Sequence, residues 1–133
     1  MSGRSHTQIR KTIFVSVTSA LAGNVDGVNP KVTKLPDIAR GYWRVNVAKA
    51  LQCELLAAVE RNVVIGIWEI DRKFGWQSMR TVHDISPDRH PSKVYPGYYC
   101  RLLDNPVTDI SIGTDIRSIP NVGSMNRSFQ YNF

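Results

Sequence analysis

The chain has 133 residues, 42% of them hydrophobic and 21% charged, and no apolar run approaches 18 residues. Such a chain is one domain (1–133) with enough length to bury a core without staples, and is neither disordered by composition nor built to span a membrane. Eight Lys/Arg stand against two acids in residues 1–49 and nine against nine afterwards, so the whole net charge of +6 sits in the first third. A lopsided positive field suits a polyanionic partner, because each neutralised phosphate releases condensed counterions.

In chain order, residues 1–10 read as a flexible basic arm. They have no apolar h-region, so a cytoplasmic location is expected. Thr12–Thr18 alternates as a half-buried strand, with Ile13, Val15 and Val17 on one side and Phe14, Ser16 and Thr18 on the other. Ala22–Pro36, rich in Gly, Asn and Pro, reads as a long turn-rich connection. Asn46 is a good N-cap for a helix over Val47–Cys53, with Val47, Ala50 and Leu51 on one stripe. A strand from about Leu55 then turns tightly at Arg61-Asn62 into Val63–Ile70. In that second strand, strict alternation puts Val64, Gly66, Trp68 and Ile70 on one face and Val63, Ile65, Ile67 and Glu69 on the other. Gly66 marks a place where something approaches the backbone closely.

Residues 84–97 carry three prolines and read as a surface loop. Tyr98–Leu103 reads as one strand and Val107–Ile112 as another. The tail is polar until Phe129, Tyr131 and Phe133, which alternate onto one face of a closing strand. Cys53 and Cys100 are isolated and are expected to be free, half-buried thiols of a reducing compartment. The fold class expected is α+β, a small strand-rich curved sheet or barrel with one or two short helices.

All three tryptophans, Trp43, Trp68 and Trp76, fall between Gly41 and Trp76, each within four positions of an arginine. A ring that stacks on a base beside a cation that meets the phosphate is how proteins grip a nucleotide, and stacking contributes about 1–3 kcal/mol per base. Trp43, Trp76 and Trp68 are therefore the candidate base-stacking residues. Arg10, Lys11, Arg40, Arg44, Arg72 and Lys73 are the candidate phosphate contacts. The competing reading of each ring is core packing, and it weighs most for Trp68 on its apolar strand.

The order of a strand, a long loop, Trp43-Arg44, a short helix and a hairpin whose second strand reads V-x-G-x-W-E-I resembles the PUA-like superfamily. That group includes the EVE, ASCH and YTH-type domains, and the resemblance covers about residues 12–76. It implies a small mixed-strand barrel that binds RNA or DNA, in some members reading a modified base in an aromatic-walled pocket, and the function expected of this chain is non-catalytic nucleic-acid binding. The basic loop Lys31–Arg44 and the C-terminal third depart from the pattern.

Other chemistries find less in the sequence. His83 and His90 are seven apart and the cysteines are distant, so no metal site is expected; without a Walker A or GxGxxG motif no cofactor is expected either. Glu69 and Asp71 could present two carboxylates for a metal-dependent nuclease, the third reading. The second is a protein–protein interaction or inhibitor module of the phage or mobile-element type, or a homodimer, with the aromatic tail as its adhesive edge.

Overall fold

The computed structural model describes residues 8–25, 28–78 and 97–133. The expected loop over 84–97, apart from Gly97, lies outside the described residues, as do His83, His90 and residues 1–7 of the arm.

Among the described residues seven strands and three short helices make an α+β fold. They are β1 (Thr12–Ser16), α1 (Thr18–Leu21), α2 (Leu35–Ala39), α3 (Val47–Ala50), β2 (Leu55–Glu60), β3 (Val63–Ile70), β4 (Gln77–Ser78), β5 (Tyr98–Tyr99), β6 (Leu102–Leu103) and β7 (Phe129–Tyr131). The main sheet has the order β6-β3-β2-β1-β7, and β4 pairs with β5 in a small second sheet. β1 and β2 are parallel and the other pairs antiparallel. β6 and β7 stand at the two ends of the order, so of the two expected forms, a sheet or a barrel, the described strands form the sheet.

Parallel pairing of β1 with β2 demands a crossover, and residues 17–54 supply it with all three helices. The helices cover one face of the sheet, where Ile13, Val15, Val17, Leu56 and Ala58 meet Ile38, Ala39, Ala50 and Trp76 in one cluster. Phe14, Ala57, Val59 and Val64 point the other way and pack under Ile110, Ile116 and Ile119. Each fully buried Val, Leu, Ile or Phe side chain contributes about 1.5–3 kcal/mol. The alternation expected for β1 is thus the one observed, although the strand ends at Ser16 and Thr18 opens α1.

The crossover is more helical than its composition suggests. Pro36 lies in the first turn of α2, where a missing N–H costs nothing and the ring's fixed φ suits the helix. A proline read as a breaker therefore starts an element. Asn46 caps α3 as expected, its side chain accepting from the Lys49 N–H at 3.3 Å. That helix stops at Ala50, short of Cys53, and leaves Leu51 47% exposed rather than on the buried stripe.

The β2–β3 turn also forms as expected: Arg61 and Asn62 have φ of 49° and 69°, the pair of positive values a type I′ hairpin turn needs. Strict alternation along β3 does not hold. Ala58 pairs with Gly66 and Val59 with Val64, so Ile65 is an extra residue in a β-bulge. The bulge sends Val64 to the second face with Ile67, while Ile65 joins Trp68 and Ile70 on the helix-covered face. What lies close to Gly66 is internal: a Cβ there would run into the Trp68 ring and come within 3.1 Å of Leu35 Cδ2.

The last third differs most from expectation. Tyr98–Leu103 is two short strands in different sheets, β5 beside β4 and β6 beside β3. Val107–Ile112 is not a strand. Residues 113–116 instead bond to the β2–β3 hairpin through Gly113 N–H to Val64 O (2.7 Å) and Ile116 N–H to Asn62 O (2.9 Å). A 3-10 turn follows at Ile116–Ser118, capped by Asp115. β7 closes the sheet as expected, here by pairing with β1, and Phe129, Tyr131 and Phe133 do share a face.

Candidate functional site

At the carboxyl end of β1 a cavity of about 500 Å³ opens between the crossover and the segment leading into β7. Its buried lining is apolar, from Ala20, Val28 and Ile38, and its half-buried aromatic wall is Tyr42 and Trp43. Asn126, Arg127 and Ser128 are exposed, as are Val25 and Ser19, and Ser16 and Ser19 add hydroxyls. Among the described residues no Asp or Glu lines it. Its size is that of a small-molecule pocket, and its lining mixes apolar and polar surface in about equal parts.

The wall is held from several sides. Trp43 donates its indole N–H to Ala39 O at 2.7 Å, in the last turn of α2. Its backbone exchanges hydrogen bonds with Tyr98, Trp43 N–H to Tyr98 O at 2.9 Å and the reverse at 2.8 Å. Gly97 lies against that same backbone at φ 99°, and a Cβ there would sit 2.6 Å from Trp43 O. The Tyr42 ring meets Tyr99 edge to face with centroids 5.2 Å apart. On the other side, Ser16 N–H donates to Ser128 O at 2.8 Å, which draws Asn126 and Arg127 to the mouth.

Of the three candidate tryptophans, Trp43 alone lines this cavity. Trp76 is 6% exposed and donates its indole N–H to Ala50 O at 3.2 Å, and its ring belongs to the core cluster. Trp68 lies over Gly66 on the helix-covered face.

The candidate cations are dispersed. Arg10 is not part of a loose arm: its guanidinium spans Asp109 and Glu69 at 2.9 Å each, and its backbone N–H reaches Asp109 at 3.1 Å. Those hydrogen bonds hold the Asp109 carboxyl below its ordinary range; Glu69 is lowered too, first by the Asn105 amide at 2.8 Å and then by Arg10. Arg40 is tucked against Asp37 at 3.2 Å and over the Tyr99 ring at 5.5 Å. Arg72 donates to Leu51 O at 3.4 Å, and Lys73 is exposed beside it. Arg44 is exposed and has no ion pair among the described residues. Lys11 sits 4.9 Å from the Phe133 centroid. The charge concentrated in one third of the sequence is therefore spread over separate environments in space.

The carboxylates of the nuclease reading are engaged elsewhere, Glu69 with Arg10 and Asn105, and Asp71 accepting the Lys73 and Phe74 N–H groups at 3.1 and 3.3 Å. Among the described residues no three His, Cys, Asp or Glu side chains come together as a metal site. Cys53 and Cys100 are free and fully buried, deeper than expected. No helix among them is long and apolar enough to cross a membrane.

Tyr42, Arg127, Asn126 and Ser128 are site residues that sequence reasoning missed. Tyr42 was within reach, as the neighbour of Trp43. The other three come from the tail, and only the β1–β7 pairing brings them to the crossover. No family model, curated protein or solved structure matches the chain.

Proposed function

We propose that this chain is a non-catalytic nucleic-acid-binding domain that takes one base of an RNA or DNA strand, a modified one included, into the cavity walled by Tyr42 and Trp43. One observation carries the reading: Trp43 and Arg127 line the same cavity, so a ring able to stack and a cation able to meet a phosphate converge on one ligand. The hydroxyls of Ser16, Ser19 and Ser128 and the Asn126 amide supply donors and acceptors for a base edge. The resemblance to PUA-like domains points the same way, and so does the overall charge of +6. Trp76 and Trp68 have core roles in this reading, and Arg44 is a further phosphate contact near Trp43.

The test is fluorescence anisotropy with labelled single-stranded RNA and DNA of mixed sequence. Binding is expected at low salt and should weaken steeply as salt rises. Trp43→Ala, checked for an unchanged circular dichroism spectrum, should weaken it about tenfold or more, as loss of one stacked base implies. No binding at low salt to either strand, or a folded Trp43→Ala protein that binds like wild type, overturns the proposal.

A further inference from the structure

Beside the cavity at Trp43, and sharing lining residues with it, a second hollow of about 480 Å³ lies along β7. Asn126 and Arg127 line both hollows, and among the described residues neither lining contains an Asp or Glu. β7 ends the sheet order, so among the described strands one of its edges has no neighbour. Phe129, Tyr131 and Phe133 form a ridge in this hollow, their rings edge to face with successive centroids 6.0 and 5.6 Å apart.

Two ammonium groups stand against that ridge, Lys49 within the lining of the hollow and Lys11 outside it, over the Phe133 ring. Lys49 Nζ lies 4.8 Å from the Tyr131 centroid and 5.0 Å from that of Phe133, and Lys11 Nζ lies 4.9 Å from Phe133. Lys11 also donates to the neutral Gln52 side chain at 3.1 Å. Neither lysine has an ion pair among the described residues. Attraction to a ring holds an ammonium in place without neutralising it. Two pre-positioned, uncompensated cations beside three half-buried rings suit a phosphate with a base attached.

We propose that the hollow along β7 is a second nucleotide subsite, in which Lys49 and Lys11 hold the phosphate of the strand leaving the Trp43 cavity and the flanking base lies against the Phe129–Tyr131–Phe133 ridge. The inference rests on the base-in-cavity reading and adds that the ligand is a single strand of at least two consecutive nucleotides. A duplex keeps its base faces stacked and cannot offer them to rings. The competing occupant of a bare strand edge is a second copy of this chain. Two copies would bring the same uncompensated lysines together, which favours the anionic strand.

The experiment is a titration of wild type and of the K11Q/K49Q double variant with a mononucleotide, a trinucleotide and a hexanucleotide of one base, at several salt concentrations. Wild type should gain tenfold or more in affinity from the mononucleotide to the trinucleotide. In K11Q/K49Q that gain should collapse, and the slope of log affinity against log salt for the trinucleotide should fall by about 0.7, the value for one phosphate contact on a single strand. K11R/K49R, which keeps the charge, should restore the slope and guards against a folding defect. An unchanged length gain and slope in K11Q/K49Q, with Trp43→Ala still weakening binding, overturns the second subsite alone. No binding of any of the three ligands to wild type overturns both readings. A dimer that dissociates on Tyr131→Ala with oligonucleotide affinity untouched also overturns the subsite, since the edge then serves a second copy.

Discussion

Asn62 Oδ1 accepts the Met125 backbone N–H at 2.7 Å, so the tight turn between β2 and β3 anchors the segment that carries Asn126 and Arg127 to the cavity mouth. Asn62 does this from φ 69°, in the left-handed region that asparagine tolerates better than most residues. Asn62→Ala removes the acceptor and adds backbone strain, and should destabilise the fold by about 2 kcal/mol in urea titration. Asn62→Asp keeps both the acceptor and the tolerance and should stay near wild type. Asn62→Gly relieves the backbone but not the lost acceptor; its oligonucleotide affinity should fall more than its stability does. Equal stability of Asn62→Ala and wild type refutes the anchor.

Gly66 and Trp68 are matched in the same way. A methyl group at 66 has no room under the Trp68 ring and beside Leu35, so Gly66→Ala should lose about 1–3 kcal/mol by overpacking. Adding Trp68→Ala should recover part of that loss, giving a double mutant more stable than the sum of the two single changes. Strict additivity in denaturant melts would mean that the ring does not occupy the space above Gly66.

The Arg10–Asp109–Glu69 network sets an acid limit. Both carboxyls are held below their ordinary values of 3.8 and 4.5, so the folded state binds protons less readily than the unfolded chain there. The stabilisation is fully present above about pH 4.5 and is lost as the pH falls through the lowered values. Thermal melts of wild type should drop steeply below pH 4.5, and Arg10→Met should flatten that limb while lowering stability at neutral pH. Parallel curves for the two proteins would exclude the network as the cause.

At the alkaline end the sign reverses. Burial pushes the Cys53 thiol up to about 12 from an ordinary 9.0, raises Cys100 as well, and pushes the Tyr131 hydroxyl up to about 12 from 10.0. Groups raised in the folded state stabilise it fully below their unfolded values and progressively less above them. Stability should therefore decline from pH 9 toward 12, and Cys53→Ser should not abolish the decline because Cys100 and Tyr131 remain. Neither thiol should react with a disulfide reagent at pH 8 until denaturant is added. Rapid labelling of the native protein would contradict the burial of Cys53 and Cys100.

Where pattern is local, the sequence sufficed. The period of two in Ile13, Val15 and Val17 marked the buried side of β1, Asn46 marked the start of α3, and Arg61-Asn62 marked the hairpin turn. Each depends on a residue and its near neighbours, whose backbone preferences and hydrogen bonds survive in any tertiary context. The α+β class follows from such elements. Of the proposed binding residues, Trp43, Arg44 and Lys11 could be singled out on residue type alone.

The rest required the folded chain. A bulge at Ile65 reverses which face Val64 meets, and one extra residue in a strand leaves no mark in its alternation until its partner strand is known. Whether a tryptophan is a wall or a core residue depends on what covers it: Trp43 is left half-open where the crossover meets the tail, while Trp76 is enclosed by α3 and the sheet. The positive charge gathered in residues 1–49 is parted in space because Arg10 and Arg40 find carboxylates that lie far away or on a neighbouring turn. Arg127, more than 80 residues from Trp43, reaches the same cavity through strand pairing at the other end of the chain. Chain composition decided that this protein carries rings and cations; long-range contacts decided which of them share a ligand-sized space.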